Sequence, residues 1–175
     1  AGAIHPALKV GDVVVGKRFI QHDLDGQPLM KKFEIPLLNQ TYLLANETKL
    51  EKAQEAVNQV LEDQFLHELI SDSDLQSFDI VQPKLFVGDI ASGDQFISTD
   101  EVRQKLLEEL PGILCVDMAG ASVAQVCFEY NIPLTVIRTI SDEANASSVV
   151  DFPAFIQRIS SVYSVAFVRE LYQLK

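Results

Sequence analysis

The chain has 175 residues, of which 47% are apolar and 22% are charged, a balance typical of one globular domain with a sizeable core. Its net charge is −11, from 14 basic and 25 acidic residues, which argues against nucleic acid or an anionic membrane surface as a partner. No apolar run in the sequence approaches the ~20 residues needed to span a bilayer. A small ligand of low charge remains compatible with this composition.

The cysteines and histidines indicate neither zinc nor another metal. Cys115 and Cys127 lie in apolar surroundings, as buried thiols do in a reducing compartment, so we expect a cytoplasmic protein. There is no Cys-x-x-Cys pair, and His5, His22 and His67 are too scattered to suggest a metal site.

The first half of the chain predicts a strand, an irregular loop and a long helix. Alternating residues rich in Val and Ile predict a strand at 10–22. Residues 24–42 predict a loop, which either forms an interface or folds back on its own core. Helical periodicity predicts one helix over 48–69, followed by a solvated turn at 71–74. The apolar residues of the loop are Leu29, Met30, Phe33, Ile35, Leu37 and Leu38.

From residue 78 onward, strands and helices alternate. This order predicts a layered α/β domain, with a largely parallel sheet made mixed by the earlier strand. We expect Ser98 to cap a helix in a capping box with Glu101, and Phe152 to lie on or near the inner face of the last helix. The predicted strands are 78–90, 113–118 and 134–140, the helices are 98–110, 120–130 and 152–174, and residues 145–151 are a loop.

Three polar segments each follow a predicted strand. They read Ser-Gly-Asp-Gln-Phe-Ile at 92–97, Val-Asp-Met-Ala-Gly-Ala-Ser at 116–122 and Arg-Thr-Ile-Ser-Asp-Glu-Ala at 138–144. Ligands of open α/β sheets bind at strand ends, so we expect these segments to form a ligand site.

Two residues in these segments have both a chemical and a purely structural interpretation. Asp142 ends a predicted buried strand, where partial desolvation favours a protonated carboxyl that can act as a general acid. From its position alone, capping of the following turn is the commoner role. Phe96 can stack on a flat ligand, but a core position is commoner for such a residue.

The segments resemble the nucleoside phosphorylase and nucleosidase family, most closely the 5'-methylthioadenosine/S-adenosylhomocysteine nucleosidases. The Ile-Ser-Asp-x-Ala element at 140–144 matches that family's element. The resemblance implies that Asp142 holds N7 of a purine and assists the departure of adenine. Ser141 and Arg138 would support Asp142.

The other two segments also carry the resemblance. It implies that Phe96 stacks on the purine, flanked by Gln95, and that backbone groups near Ile97 read the purine edge. Met118 would lie against the ribose. Asp117 takes the first acidic position of the family's Glu-Met-Glu pattern, and the resemblance implies that it helps to bind the substrate.

Ala119 departs from that pattern. The family has a Glu here, whose carboxylate accepts hydrogen bonds from the ribose hydroxyls, and a methyl group cannot accept them. We therefore expect impaired catalysis from this chain. An inactivating substitution in an enzyme and a non-catalytic purine-binding or storage protein both remain open.

The resemblance implies a fold, an activity and an assembly. The fold is α/β, a three-layer α/β/α sandwich with a mixed, largely parallel sheet of nucleoside phosphorylase type, as one domain over residues 1–175 that lacks the family's opening strands. The activity is hydrolysis of the N-glycosidic bond of adenine nucleosides with a 5'-thioether, without a cofactor. Phosphorolysis is an alternative, because the family's phosphate-binding arginines lie mostly before the first residue here. A homodimer is expected, in which the apolar loop at 29–38 closes the pocket for the 5' substituent in the partner.

Overall fold

A mixed sheet forms the centre of the molecule. The computed structural model describes residues 1–144 and 152–173. β2 pairs in parallel with β4, and β4 with β5, in the two longest ladders, while β1, β3 and β6 add shorter antiparallel pairs. The predicted mixed, largely parallel sheet is confirmed. Its strands in the described residues are β1 (Gly2–Ala3), β2 (Val13–Gln21), β3 (Leu43–Leu44), β4 (Leu85–Ser92), β5 (Ile113–Asp117) and β6 (Ile137–Thr139).

The sheet closes on itself. Its order is β1-β5-β4-β2-β3, with β6 also paired to β2. Beyond β6 the chain returns to the first strand of this order, because Asp142 forms a parallel bridge with Gly2. The Ala3 amide donates to the Asp142 carbonyl at 2.8 Å, and the Ser141 amide donates to the Ala1 carbonyl at 2.9 Å. The segment that follows β6 therefore lies beside β1, which in turn pairs with β5.

Helices cover both faces of the sheet. Side chains alternate along a strand, so Val13 and Val15 pack with α1 and α7 while Val14 packs with α5 on the other face. This is the predicted three-layer α/β/α arrangement. No helix in the described ranges is long and apolar enough to cross a membrane. The helices are α1 (Glu47–Val60), α2 (Asp63–Leu69), α3 (Asp72–Ser77), α4 (Asp100–Glu109), α5 (Gly120–Glu129), α6 (Phe152–Phe155) and α7 (Ser161–Tyr172), with a π-helical segment (Ile156–Ser160) between the last two.

The prediction of one helix over 48–69 is wrong. The chain leaves the helix at Leu61 and Glu62, and the Glu62 backbone is not helical. The break lets Leu66 join Val60 in one core cluster, so tertiary burial outweighs the helical periodicity of the sequence. The predicted turn at 71–74 is the start of α3, capped by the Ser71 hydroxyl, which accepts from the Asp74 amide.

The strand predicted at 78–90 begins later, at Leu85. Asp79 has a φ of 55°, in the left-handed region that a strand excludes. The cap of α4 is Thr99 rather than Ser98, since the Thr99 hydroxyl accepts from the Val102 amide. The predicted capping box is therefore wrong by one position.

The last two predicted elements are only partly correct. Of the strand expected at 134–140, only β6 is regular, and it runs antiparallel to β2. The closing helix is found, with its π-helical segment, from Phe152 to Tyr172, and Phe152 itself is exposed. The predicted loop at 145–151 and the end of the helix at Leu174 lie outside the described residues.

The loop at 24–42 folds back on the core in part. Phe33 and Ile35 are buried, whereas Leu29 and Leu37 are 92% and 98% exposed. Phe33, Leu37 and Asn39 all have positive φ angles, between 53° and 67°. Bulky side chains rarely adopt this conformation, so contacts of the buried residues must hold the exposed ones in place.

Candidate functional site

A small open pocket of about 190 Å³ lies where the three polar segments meet. Ser92, at the end of β4, pairs with Asp117, at the end of β5, so the first two segments leave the same edge of the sheet. The third segment reaches this edge through the bridge between Asp142 and Gly2. Seven of the predicted site residues line the pocket: Gln95, Phe96, Ile97, Asp117, Met118, Ser141 and Asp142.

Two predicted site residues do not line this pocket. Ala119 is exposed and occupies the N-cap position of α5. Arg138, on β6, pairs with the carboxylate of Asp117. The structure therefore brings both residues next to the pocket through Asp117 and the start of α5, without making them part of its wall.

Asp142 is buried at the pocket and held by two donors. Its Oδ1 accepts from the Ala144 amide at 2.9 Å, and its Oδ2 accepts from the Ser141 hydroxyl at 2.8 Å. The residue is 4% exposed. Each carboxylate oxygen has a second lone pair, so Asp142 can still bind a ligand while it closes the turn at Ala144. The capping role and the pocket role are thus compatible.

Exposed apolar side chains form the pocket wall. Phe96 and Met118 are 65% and 58% exposed, so the core position that is commoner for a Phe does not apply to Phe96. Ile97, in contrast, is buried. Phe152 also lines the pocket, which sequence analysis missed because its place in the helical pattern pointed to the inner face. The sequence held one signal for this role, which was the position of an aromatic residue at the first residue of the predicted helix.

Asp117 lines the pocket but is held by the protein itself. Its carboxylate accepts from the Ser92 hydroxyl, the Arg138 guanidinium and the Gly120 amide. Burial alone would raise its pKa, but the Ser92 hydrogen bond and the Arg138 charge together hold that pKa below its usual range. Asp117 is therefore a charged, internally paired carboxylate.

His22 lies beneath the loop that carries Phe96. It is 7% exposed, and its Nε2 has no hydrogen-bond partner in the described part of the chain. A Cβ on Gly93 would lie 2.5 Å from this nitrogen, so only glycine lets the loop cross the imidazole ring. Burial lowers the pKa of His22. Within the described residues no group of three or more His, Cys, Asp or Glu side chains could hold a metal ion.

The fold and the pocket together define an α/β protein that presents apolar side chains and a buried carboxyl at the strand ends of its sheet. A family model described as "Phosphorylase superfamily" matches residues 1–171, and the chain belongs to this family. The resemblance stated from the sequence and the nucleoside phosphorylase-like fold are both confirmed.

Individual relatives agree with this assignment. A 5'-methylthioadenosine/S-adenosylhomocysteine nucleosidase of Staphylococcus aureus is 31% identical over 175 residues, which cover 98% of this chain and 67% of the relative. The structure of such a nucleosidase from S. pneumoniae with a transition-state inhibitor has a TM-score of 0.76 at 26% identity, covering 100% of this chain and 67% of that one. A futalosine hydrolase of Helicobacter pylori has a TM-score of 0.76 at 28% identity, covering 99% and 64%. The chain thus spans about two thirds of the length of these relatives.

The buried histidine predicts a pH dependence of stability. The pKa of His22 is lowered in the folded state, so below about pH 6.5 the unfolded chain takes up a proton that the folded chain does not. The stability that the neutral form of His22 allows should be fully present above this pH. It should decrease as the pH falls toward the pKa of His22 in the folded protein. In His22→Leu the loss of stability between about pH 6.5 and about pH 5 should be smaller than in the wild type, as measured by urea unfolding at each pH. The same change at the partly exposed His5 is the control, and equal slopes for wild type and His22→Leu would contradict this account.

Proposed function

We propose that the protein hydrolyses the N-glycosidic bond of adenine nucleosides with a 5'-thioether, such as methylthioadenosine and S-adenosylhomocysteine. The observation that carries the proposal is the buried carboxyl of Asp142, oriented by Ser141 and Ala144 in one pocket with the exposed ring of Phe96. The similarity to nucleosidases over nearly the whole chain supports the same reaction. The two free cysteines, Cys115 and Cys127, agree with a cytoplasmic location.

The proposed chemistry assigns one role to each part of the pocket. The purine stacks on Phe96, and the apolar side chains of Met118 and Phe152 bound the remaining space. Asp142 donates a proton to N7, so that the electron pair of the breaking C1'–N9 bond passes to a neutral adenine. Water attacks C1', where positive charge develops, and releases a proton to solvent, which replaces the one that Asp142 gave up.

Two other functions from the sequence analysis remain as alternatives. A phosphorylase would transfer the ribosyl group to phosphate, and the Ser-Asp-x-Ala element at 141–144 favours the hydrolase over it. A binding or storage protein would hold the purine without turnover, and Ala119 favours that alternative. Adenine release measured with and without phosphate, beside calorimetry with adenine and methylthioadenosine, distinguishes all three.

Removal of the Asp142 charge should weaken adenine binding. Once the proton has passed to N7, the ionised carboxylate of Asp142 accepts a charge-assisted hydrogen bond from adenine, and Asp142→Asn loses this bond, which costs roughly 1.5–3 kcal/mol, or about 10- to 150-fold in Kd. Calorimetric titration with adenine measures the change. Asp94→Asn, an equal change of charge at an exposed residue of the neighbouring loop, should bind adenine like the wild type. An Asp142→Asn protein with unchanged adenine affinity and intact fold would refute the assignment.

We further propose that Ala119 makes this chain a slow enzyme. Ala119 is exposed at the start of α5, next to the pocket residue Met118, and its side chain makes no capping bond. A carboxylate at this position would be free to accept hydrogen bonds from two ribose hydroxyls. It would also stabilise the positive charge that develops on the sugar.

Ala119→Glu should therefore increase turnover by orders of magnitude. The two restored hydrogen bonds are worth about 1.5–3 kcal/mol each, and part of this energy acts only in the transition state. Adenine release from methylthioadenosine should be followed for both forms, with Ala119→Gln as a neutral control of similar size. If Ala119→Glu releases adenine no faster than the Ala119 form, the ribose-site assignment fails and the storage function becomes the better one.

We also propose a homodimer whose interface includes the loop at 24–42. Leu29 and Leu37 are almost fully exposed, and Leu44 and Phe128 are exposed beside one shallow depression. Leu37 has a positive φ, and exposed leucines that a loop presents together to solvent are costly unless another surface covers them.

Light scattering at micromolar concentration should give twice the monomer mass, since a stable interface of about 1,000 Å² or more is expected. Leu37→Asp should shift the protein toward the monomer. A matched change at an exposed apolar residue far from the loop in sequence, Val165→Asp, should leave the dimer intact. A monomeric wild type would contradict the proposal.

A further inference from the structure

The carboxylate of Asp117 lies at the pocket, yet donors of the protein surround it. Ser92 Oγ donates to its Oδ1, and Arg138 Nε donates to its Oδ2. The Gly120 amide donates to both oxygens, at 3.0 and 3.2 Å, and the Ala119 amide donates to Oδ1 at 3.3 Å. Little accepting capacity is left for a ligand in the pocket.

These donors come from separate parts of the fold. Ser92 ends β4, Arg138 belongs to β6, and Gly120 begins α5. The Ser92 hydroxyl also accepts from the Ala121 amide at 2.8 Å, so it joins β4 to the same helix start. The carboxylate of Asp117 therefore connects β4, β6 and the start of α5 to the end of β5.

The same carboxylate replaces the missing cap of α5. The N-cap residue, Ala119, has no side chain that can accept from the first amides of the helix. Asp117 accepts from these amides two and three residues ahead, which closes a tight loop around Met118. A Cβ on Gly120 would lie 2.8 Å from Asp117 Oδ2, so this loop requires glycine at 120.

We infer that Asp117 is a positioning residue, which fixes the Met118 wall of the pocket and does not itself bind the ligand. Met118 stands between the carboxylate and the amides that the carboxylate holds, so its backbone cannot move without breaking those bonds. Ser92 is buried and does not line the pocket. The Ser92 hydroxyl bonds to the Asp117 carboxylate and to the Ala121 amide, so the loss of this hydroxyl reaches Met118 through Asp117 and the start of α5. The statement that Met118, and not Asp117, contacts the ligand rests on the proposed function.

Methyl NMR tests the inference without a ligand. The chain has two methionines, Met30 and Met118, so [13C-methyl]methionine labelling gives two signals. Ser92→Ala should shift or broaden the Met118 signal and leave that of Met30 unchanged. Ser98→Ala, the same substitution at an exposed serine of the loop that follows β4, should change neither.

Adenine titration provides the second measurement. Ser92→Ala should weaken adenine binding several-fold, and Asp117→Asn should weaken it about tenfold, because a displaced wall removes contacts rather than a direct bond. A Met118 signal that stays unchanged in Ser92→Ala would overturn the inference, and so would weaker adenine binding in Asp117→Asn with Met118 unmoved. If Ser92→Ala fails to fold, Arg138→Lys is tested on the same two signals with the same expectations. A wild type that does not bind adenine, with Met118 displaced in Ser92→Ala, would refute the proposed function and support the positioning role.

Discussion

The bridge between Gly2 and Asp142 is the contact on which the pocket depends. β4 and β5 are parallel neighbours, so their carboxyl ends meet without further help. β6 is antiparallel to β2, so the end of β6 would not join them in an open sheet. It arrives only because the chain crosses to β1, with hydrogen bonds from Ala3 to Asp142 and from Ser141 to Ala1. A Cβ on Gly2 would lie 3.1 Å from the Asp142 carboxylate, so a small residue at 2 is what permits the approach.

Asp142 and Asp117, the two acids of the pocket, differ in their remaining capacity to accept hydrogen bonds, because different groups already donate to them. Within the described residues, Asp142 accepts from a hydroxyl and an amide, both neutral, and keeps lone pairs for a ligand. Asp117 faces a guanidinium and the first amides of a helix, so its charge is already compensated. Sequence analysis gave both residues a ligand-facing role, since both follow strands in matching motifs. The two carboxylates differ in the groups that donate to them, and Ser92 and Arg138, the donors that distinguish Asp117, are distant from it in sequence.

Much of the site was predictable because its residues follow one another along the chain. The segments at 92–97, 116–122 and 138–144 each carry their own pattern, and β5 and α5 begin where the sequence predicts. The rest depended on contacts between distant parts. The break after α1 follows from the burial of Leu66, the pairing of Arg138 from the position of Asp117, and the place of Phe152 from the geometry of the closing helix. Periodicity describes which face of an element is apolar, but not which neighbour that face meets.

The closure of the sheet also changes what the molecule presents to other chains. β2 pairs along one side with β4 and divides its other side between two partners, β6 at Val13–Val15 and β3 at Arg18 and Phe19. The partner of β2 changes from β6 to β3 around Gly16 and Lys17. Here the Gly16 amide donates to the Val136 carbonyl, and the Lys17 carbonyl accepts from the Ala45 amide. The ring leaves β3, a strand of two residues, as the outermost member of the sheet. So short a strand offers few free backbone groups to another chain, which protects a Val- and Ile-rich sheet against edge-to-edge aggregation.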